Sequence, residues 1–169
     1  MKAPVSESGF SLVETILTIV IISISLVVLV SAWGQSARHS GDPFWHAKAA
    51  YLGQAYLEEI LTKRFDENTP VGGQPACTSA TCSAVLGADA GETRAFFDDV
   101  DDYHGLNETP SENALGVIRP EYNSYQVTVS VTYAGAELGR PAQTVKRINV
   151  TVTPPGESAQ LFVVYRGNY

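Results

Sequence analysis

Basic residues are scarce in this chain of 169, where 11 lysines and arginines face 18 aspartates and glutamates for a formal charge of −7. Residues 89–121 hold nine acidic side chains against only Arg94 and Arg119, so no nucleic-acid partner is expected. Lys146, Arg147 and Arg166 are the residues from which a small basic tip could be assembled. Histidine is equally sparse. A zinc site at Cys77 and Cys82 would need two further ligands of comparable quality, and His39, His46 and His104 are the only histidines. The two cysteines, separated by four residues in a Thr/Ser/Ala loop, are expected to form a disulfide, which fits an exported domain. No C-x-x-C, G-x-S-x-G, phosphate-binding P-loop or H-E-x-x-H occurs, so no enzyme, catalytic residue or cofactor is expected, and His104 is given a surface or capping role.

Charge is also missing from one long run. Residues 10–33 form a 24-residue stretch in which Glu14 is the sole formal charge. At ~20 residues per bilayer this is long enough to span. An ordinary secretory signal would have a basic start, a shorter apolar core and an A-x-A-like cut after it. Here Lys2 is offset by Glu7 and the apolar stretch is 24 residues long. A plain uncleaved anchor remains an alternative, because Glu14 lies about one helical turn inside the segment. Lys2 on one side and Arg38 on the other leave the orientation by charge open.

The run Gly9-Phe10-Ser11-Leu12-Val13-Glu14 resembles the class III signal of type IV pilins and pseudopilins. The resemblance implies that residues 1–9 are a leader and that a prepilin peptidase cuts after Gly9 and N-methylates Phe10. The apolar helix, residues 10–33, then stays in the inner membrane and later in the filament. Glu14 becomes an assembly residue. A carboxylate in a bilayer costs about 2.5–3.5 kcal/mol on insertion scales, and in the family the amino terminus of the adjacent subunit supplies the opposite charge. Other pilins, contacted through this helix, and the pilus assembly platform are the implied partners. Major pilins usually carry a helix-loosening proline in mid-helix, where this chain has Ser31.

About 128 residues follow Gly41, enough for one further domain. Asp42 and Pro43 form a helix start, with a kink expected near Pro43. A periplasmic spine helix is predicted over 34–65, with Ala49, Leu52, Tyr56 and Ile60 on its buried face. Residues 66–169 are expected to hold a loop, over 68–89, followed by a sheet. Residues 125–133 alternate Tyr and Val with hydroxyl and amide groups, the clearest strand in the chain. Residues 143–153 give a second strand with Ile148, Val150 and Val152 inward and a bulge near Lys146, because Val145 falls out of phase. Residues 160–165 give a third, completing an antiparallel meander.

Between loop and sheet lies Phe97-Asp98-Asp99-Val100-Asp101-Asp102-Tyr103. Asp98, Asp99, Asp101 and Asp102 are only weak metal candidates, since calcium-loop spacing fails at Tyr103 and His104. A solvated loop is expected instead, pinned by Phe96, Phe97 and Tyr103 and neutralised by Arg94. The fold class is therefore α+β: a long N-terminal transmembrane and spine helix packed on a C-terminal antiparallel sheet, a pilin-like plan. The acidic segment, the close cysteine pair, Ala55-Tyr56-Leu57-Glu58-Glu59-Ile60-Leu61 and Phe65-Asp66-Glu67-Asn68 resemble the minor pilins of the mannose-sensitive haemagglutinin pilus. The resemblance implies a minor structural subunit of a type IV pilus, with a minor pseudopilin of a type II secretion system as the alternative. A membrane-anchored periplasmic binding protein is a further alternative that gives Glu14 no purpose.

Overall fold

The computed structural model describes residues 11–39 and 42–169; Gly9 and Phe10, the predicted cleavage and methylation positions, lie outside them. The chain divides into two units, residues 1–43 and 44–169, each described by itself. The first is helix α1, Leu12–His39, with Glu14 in its first turn. Its apolar stretch, Leu12–Gly34, is long and apolar enough to cross a membrane and is exposed along its whole length. A helix apolar all round with no protein cover suits lipid as its solvent. Its few hydroxyls are satisfied internally: Ser23 donates to the Ile19 carbonyl at 2.7 Å, Ser25 to Ile21 at 2.8 Å and Ser31 to Val27 at 2.9 Å. Each hydroxyl thus has a partner within the helix itself.

Helix α2, Asp42–Leu61, belongs to the second unit from Phe44 onward. Its stripe of Ala49, Leu52, Tyr56 and Ile60 is 0–1 % exposed, as the 3.6-residue period predicts. The helix stops at Leu61, short of the expected residue 65. Beyond it, Arg64 leaves the helical path to pair its backbone with the acidic segment, donating to the Asp98 carbonyl at 3.2 Å and accepting from Val100 N–H at 3.0 Å.

Four strands form one antiparallel sheet in the order β1-β2-β3-β4: Asn107–Glu108, Gln126–Tyr133, Val145–Thr153 and Gln160–Gly167. The meander of β2, β3 and β4 is as predicted, and the two-residue β1 adds an edge beyond it. Val127, Val129 and Val131 face Ile148, Val150 and Val152 and the α2 stripe in a single core. The helix can lie this close because Gly53 has no side chain; a Cβ there would come within 2.5 Å of the Phe162 ring on β4. No bulge occurs near Lys146. The ladder runs unbroken, pairing Tyr133 with Lys146 and Val131 with Ile148, and Lys146 is the residue in phase with the inward valines. A lysine therefore occupies a core position, fully buried.

Candidate functional site

Two places carry chemistry, one in each unit. On α1, Glu14 is exposed, and among the described residues no cation pairs with it. Within Leu12–Gly34 the carboxylate is the one formal charge, so a partner lying along that stretch meets charge at one height.

In the second unit, the acidic segment is mostly buried, contrary to the solvated loop expected from its charge. Asp99, Asp101 and Asp102 are 2–5 % exposed, and only Asp98 faces solvent. Phe97 and Tyr103 anchor the segment as expected, with ring centroids 5.2 Å apart, whereas Phe96 lies outside the core and is exposed. The carboxylates fold the segment on itself. Asp102 Oδ2 accepts the Asp98 and Asp99 N–H groups at 2.8 and 3.0 Å, and Asp99 Oδ1 accepts from the Asp101 N–H at 2.5 Å.

The counter-charges are Lys146 for Asp101 and Arg64 for Asp98, each at 2.5 Å, rather than Arg94. The Lys146 ammonium on β3 lies 2.5 Å from Asp101 Oδ1 and 3.3 Å from Asp66 Oδ2 and donates to the Phe65 carbonyl at 2.5 Å. The rings of Phe65 and Tyr133 stand 4.3 and 5.2 Å away. Lys146 and Arg147 are therefore not available for a basic tip: Lys146 is interior, and Arg147 is paired with Glu137 at 2.6 Å.

Asp66 is unlike its neighbours. Ser83 N–H, Ser83 Oγ and Asn68 N–H donate to it at 2.9, 3.1 and 3.0 Å, and the Tyr133 hydroxyl lies 3.1 Å away. Burial raises its pKa, but the Ser83 and Asn68 amides and then Lys146 outweigh burial and hold it at about 2. Asp99 is pushed up to about 6 by burial and then by the Asp102 charge. Asp101 is pushed up to about 7 by burial, with Asp99 and Asp66 adding to it against the opposing pull of Lys146.

Cys77 and Cys82 form the predicted disulfide, with Cα atoms 5.0 Å apart. The bridge ends one residue before Ser83, so it fixes the donor that Asp66 uses. Asn168 ties the same loop to the end of β4, donating to the Cys77 carbonyl at 2.8 Å.

Arg94 serves a different set of anions. Its guanidinium contacts Glu59 of α2 at 2.5 Å and Glu108 of β1 at 3.0 Å, and it donates to the Tyr103 hydroxyl at 3.3 Å. Tyr103 in turn donates to Glu59 at 2.7 Å, and Tyr56 donates to Glu108. Burial works against the Arg94 charge, yet Glu59, with Tyr103 and Glu108 behind it, raises its pKa overall. Burial followed by the neighbouring glutamates raises the Tyr56 and Tyr103 hydroxyls as well. Sequence reasoning missed Glu59 and Glu108 as partners.

As for metals, the ligand atoms of Glu92, Asp98 and Asp102 fall within 4.8 Å of one another, as do those of Glu67, Asp98 and Asp99. Asp101, committed to Lys146, belongs to neither group. His104 Nδ1 accepts the Val131 N–H at 3.1 Å, a capping role for β2. Compared with protein-family models, curated proteins and solved structures, the chain matches none of them.

Proposed function

We propose that the chain is a minor pilin, a structural subunit of a type IV pilus that takes part in pilus assembly and surface attachment, similar to the D-type minor pilin of the mannose-sensitive haemagglutinin pilus. The observation that carries this reading is the pairing of Gly9-Phe10 with a lone carboxylate, Glu14, at the start of a helix exposed throughout its apolar length. A helix meant only to anchor gains nothing from a charge that costs about 2.5–3.5 kcal/mol in lipid. A helix that must exchange lipid for neighbouring helices at one register gains a fixed meeting point.

The mechanism follows from those residues. A prepilin peptidase cuts after Gly9 and methylates Phe10, and the helix holds the subunit in the inner membrane with its head in the periplasm. On assembly, Glu14 meets the amino terminus of the adjacent subunit, and the helix leaves lipid for the filament core while the head reaches the cell exterior. The α+β head, with its own core, disulfide and internally paired charges, acts as a structural unit without a catalytic residue.

Purification of sheared surface filaments, followed by intact-mass and N-terminal analysis, tests the reading. The expected result is this chain in the filaments, beginning at a methylated Phe10. Recovery only in membranes beside an outer-membrane secretin would instead indicate a minor pseudopilin of a type II secretion system, and retention of residues 1–9 in cells with active peptidase would remove both.

A further inference from the structure

Independently of the filament reading, we propose that Lys146 and Asp101 condense inside the folded head to form an intramolecular amide, linking the acidic segment covalently to β3. The geometry that points to it is the enclosure of a primary amine against a carboxyl group in the core. Lys146 Nζ and Asp101 Oδ1 are 2.5 Å apart, with Lys146 fully buried and Asp101 3 % exposed. Asp66 Oδ2 lies 3.3 Å from the same nitrogen, and the Phe65 and Tyr133 rings wall the pair at 4.3 and 5.2 Å.

Both reactants are held in place. Lys146 is fixed by the β2–β3–β4 ladder, opposite Tyr133 on one side and Arg166 on the other. Asp101 is fixed by its N–H bond to Asp99 Oδ1. Both of its carboxyl oxygens are buried with no hydrogen-bond partner among the described residues: Oδ1 meets Lys146 as a charge contact without hydrogen-bond alignment, and Oδ2 is left orphaned. That orphaned oxygen is a cost to the ion pair and the atom that condensation removes. Fixed contact of this kind replaces a bimolecular encounter, which is worth an effective concentration of about 10⁵ M or more when the groups are aligned.

The step balances without an outside reagent. Away from water, the charged pair is disfavoured against the neutral pair, and the ammonium passes one proton across the 2.5 Å contact to Asp101. Burial raises the Asp101 pKa to about 7, so its carboxylate takes a proton more readily than an ordinary one does. The neutral amine then attacks the Asp101 carboxyl carbon. Its second proton goes to the Asp66 carboxylate, which hands it to the departing hydroxyl, so that one C–N bond forms, one C–O bond breaks and one water leaves. Nothing is oxidised or reduced. Asp66, held at about 2, is too weak a base to store that proton, so it takes and releases it in one concerted movement and remains the anion.

The full chain, extracted from membranes and reduced, provides the test. Its intact mass is expected to fall one water below that calculated for the covalent sequence after N-terminal processing is accounted for. Cleavage after glutamate, at Glu108, Glu112, Glu121 and Glu137, would separate Asp101 from Lys146 in an unlinked chain. The amide instead leaves them in one branched peptide. Asp101→Asn is expected to reach the same final mass by losing ammonia in place of water, whereas Lys146→Arg forms no link. A wild-type chain of full mass overturns the proposal. So does a water loss in which the Lys146 peptide is recovered unbranched, the signature of a cyclic imide at an aspartate.

Discussion

The Arg94 guanidinium lies 2.5 Å from the Glu59 carboxylate of α2, and both side chains are more than nine-tenths buried. Because Arg94 also reaches Glu108 on β1, one cation joins the helix, the 3-10 turn at Arg94–Phe96 and the edge of the sheet. Replacing it by a neutral residue of similar length would leave two buried carboxylates without a cation. Arg94→Met is expected to lower head stability by about 3–5 kcal/mol in urea denaturation of a soluble fragment from residue 44 onward. A loss below about 1 kcal/mol would mean that the network adds no more than a surface ion pair does.

The pH dependence follows from Asp99. Its carboxyl is raised from 3.8 to about 6, by burial first and by Asp102 next. Between those two values the folded state binds more protons than the unfolded one, so stability falls as pH rises through that window. The loss from pH 4 to pH 7 is on the order of 3 kcal/mol. Asp101, wherever it is unlinked, contributes in the same direction up to about pH 7. Asp66 has the opposite sign: lowered to about 2, it stabilises above pH 3.8 and loses that contribution only as pH falls toward 2. Denaturation midpoints across pH 3–8 should therefore peak on the acid side of neutrality, and Asp99→Asn should flatten the decline. A curve rising steadily from pH 4 to pH 7 would contradict this assignment.

The disulfide closes a loop of sequence separation 5. Chain entropy alone makes that worth about 2 kcal/mol, and the neighbouring Ser83 donates twice to Asp66. Reduction, or a Cys77→Ser/Cys82→Ser double variant, is expected to lower the melting temperature of the head. It should also raise the Asp66 pKa by loosening its donors, so that acid unfolding begins at higher pH. A melting curve indifferent to reductant would show that the loop is dispensable for the core.

Where burial follows a simple period, the sequence was readable. The α2 stripe from Ala49 to Ile60, the alternation of β2 and the inward Ile148, Val150 and Val152 each repeat at the spacing of their element, and all are buried as read. Lys146 was misread because the out-of-phase Val145 was taken as the sign of a bulge. With the ladder unbroken, the alternation of Ile148, Val150 and Val152 puts the lysine inside, and a buried cation requires an anion. The acidic segment exposes the other half of that problem. Its charge density is visible locally, but the partner that allows its burial lies on β3, and Glu59 and Glu108 claim the nearer Arg94. Strand β1, two residues long and followed by Pro110, carries no period to detect. Helix α2 ends at Leu61 without a glycine or proline signal, because the backbone of Arg64 is needed by Asp98 and Val100.

Glu14 is the residue on which the filament reading depends. Glu14→Gln keeps size and hydrogen-bonding capacity while removing the only formal charge of the apolar stretch, and it makes the helix easier to insert. If the carboxylate served insertion or folding, the variant would differ in membrane level or in head stability. If it serves assembly, leader removal and membrane level stay near wild type while the protein disappears from sheared filaments. Quantitative immunoblots of membrane and filament fractions, with Gly9→Val as an uncut control, separate these cases. Incorporation equal to wild type would show that no charge pair at this position guides the subunit into a filament.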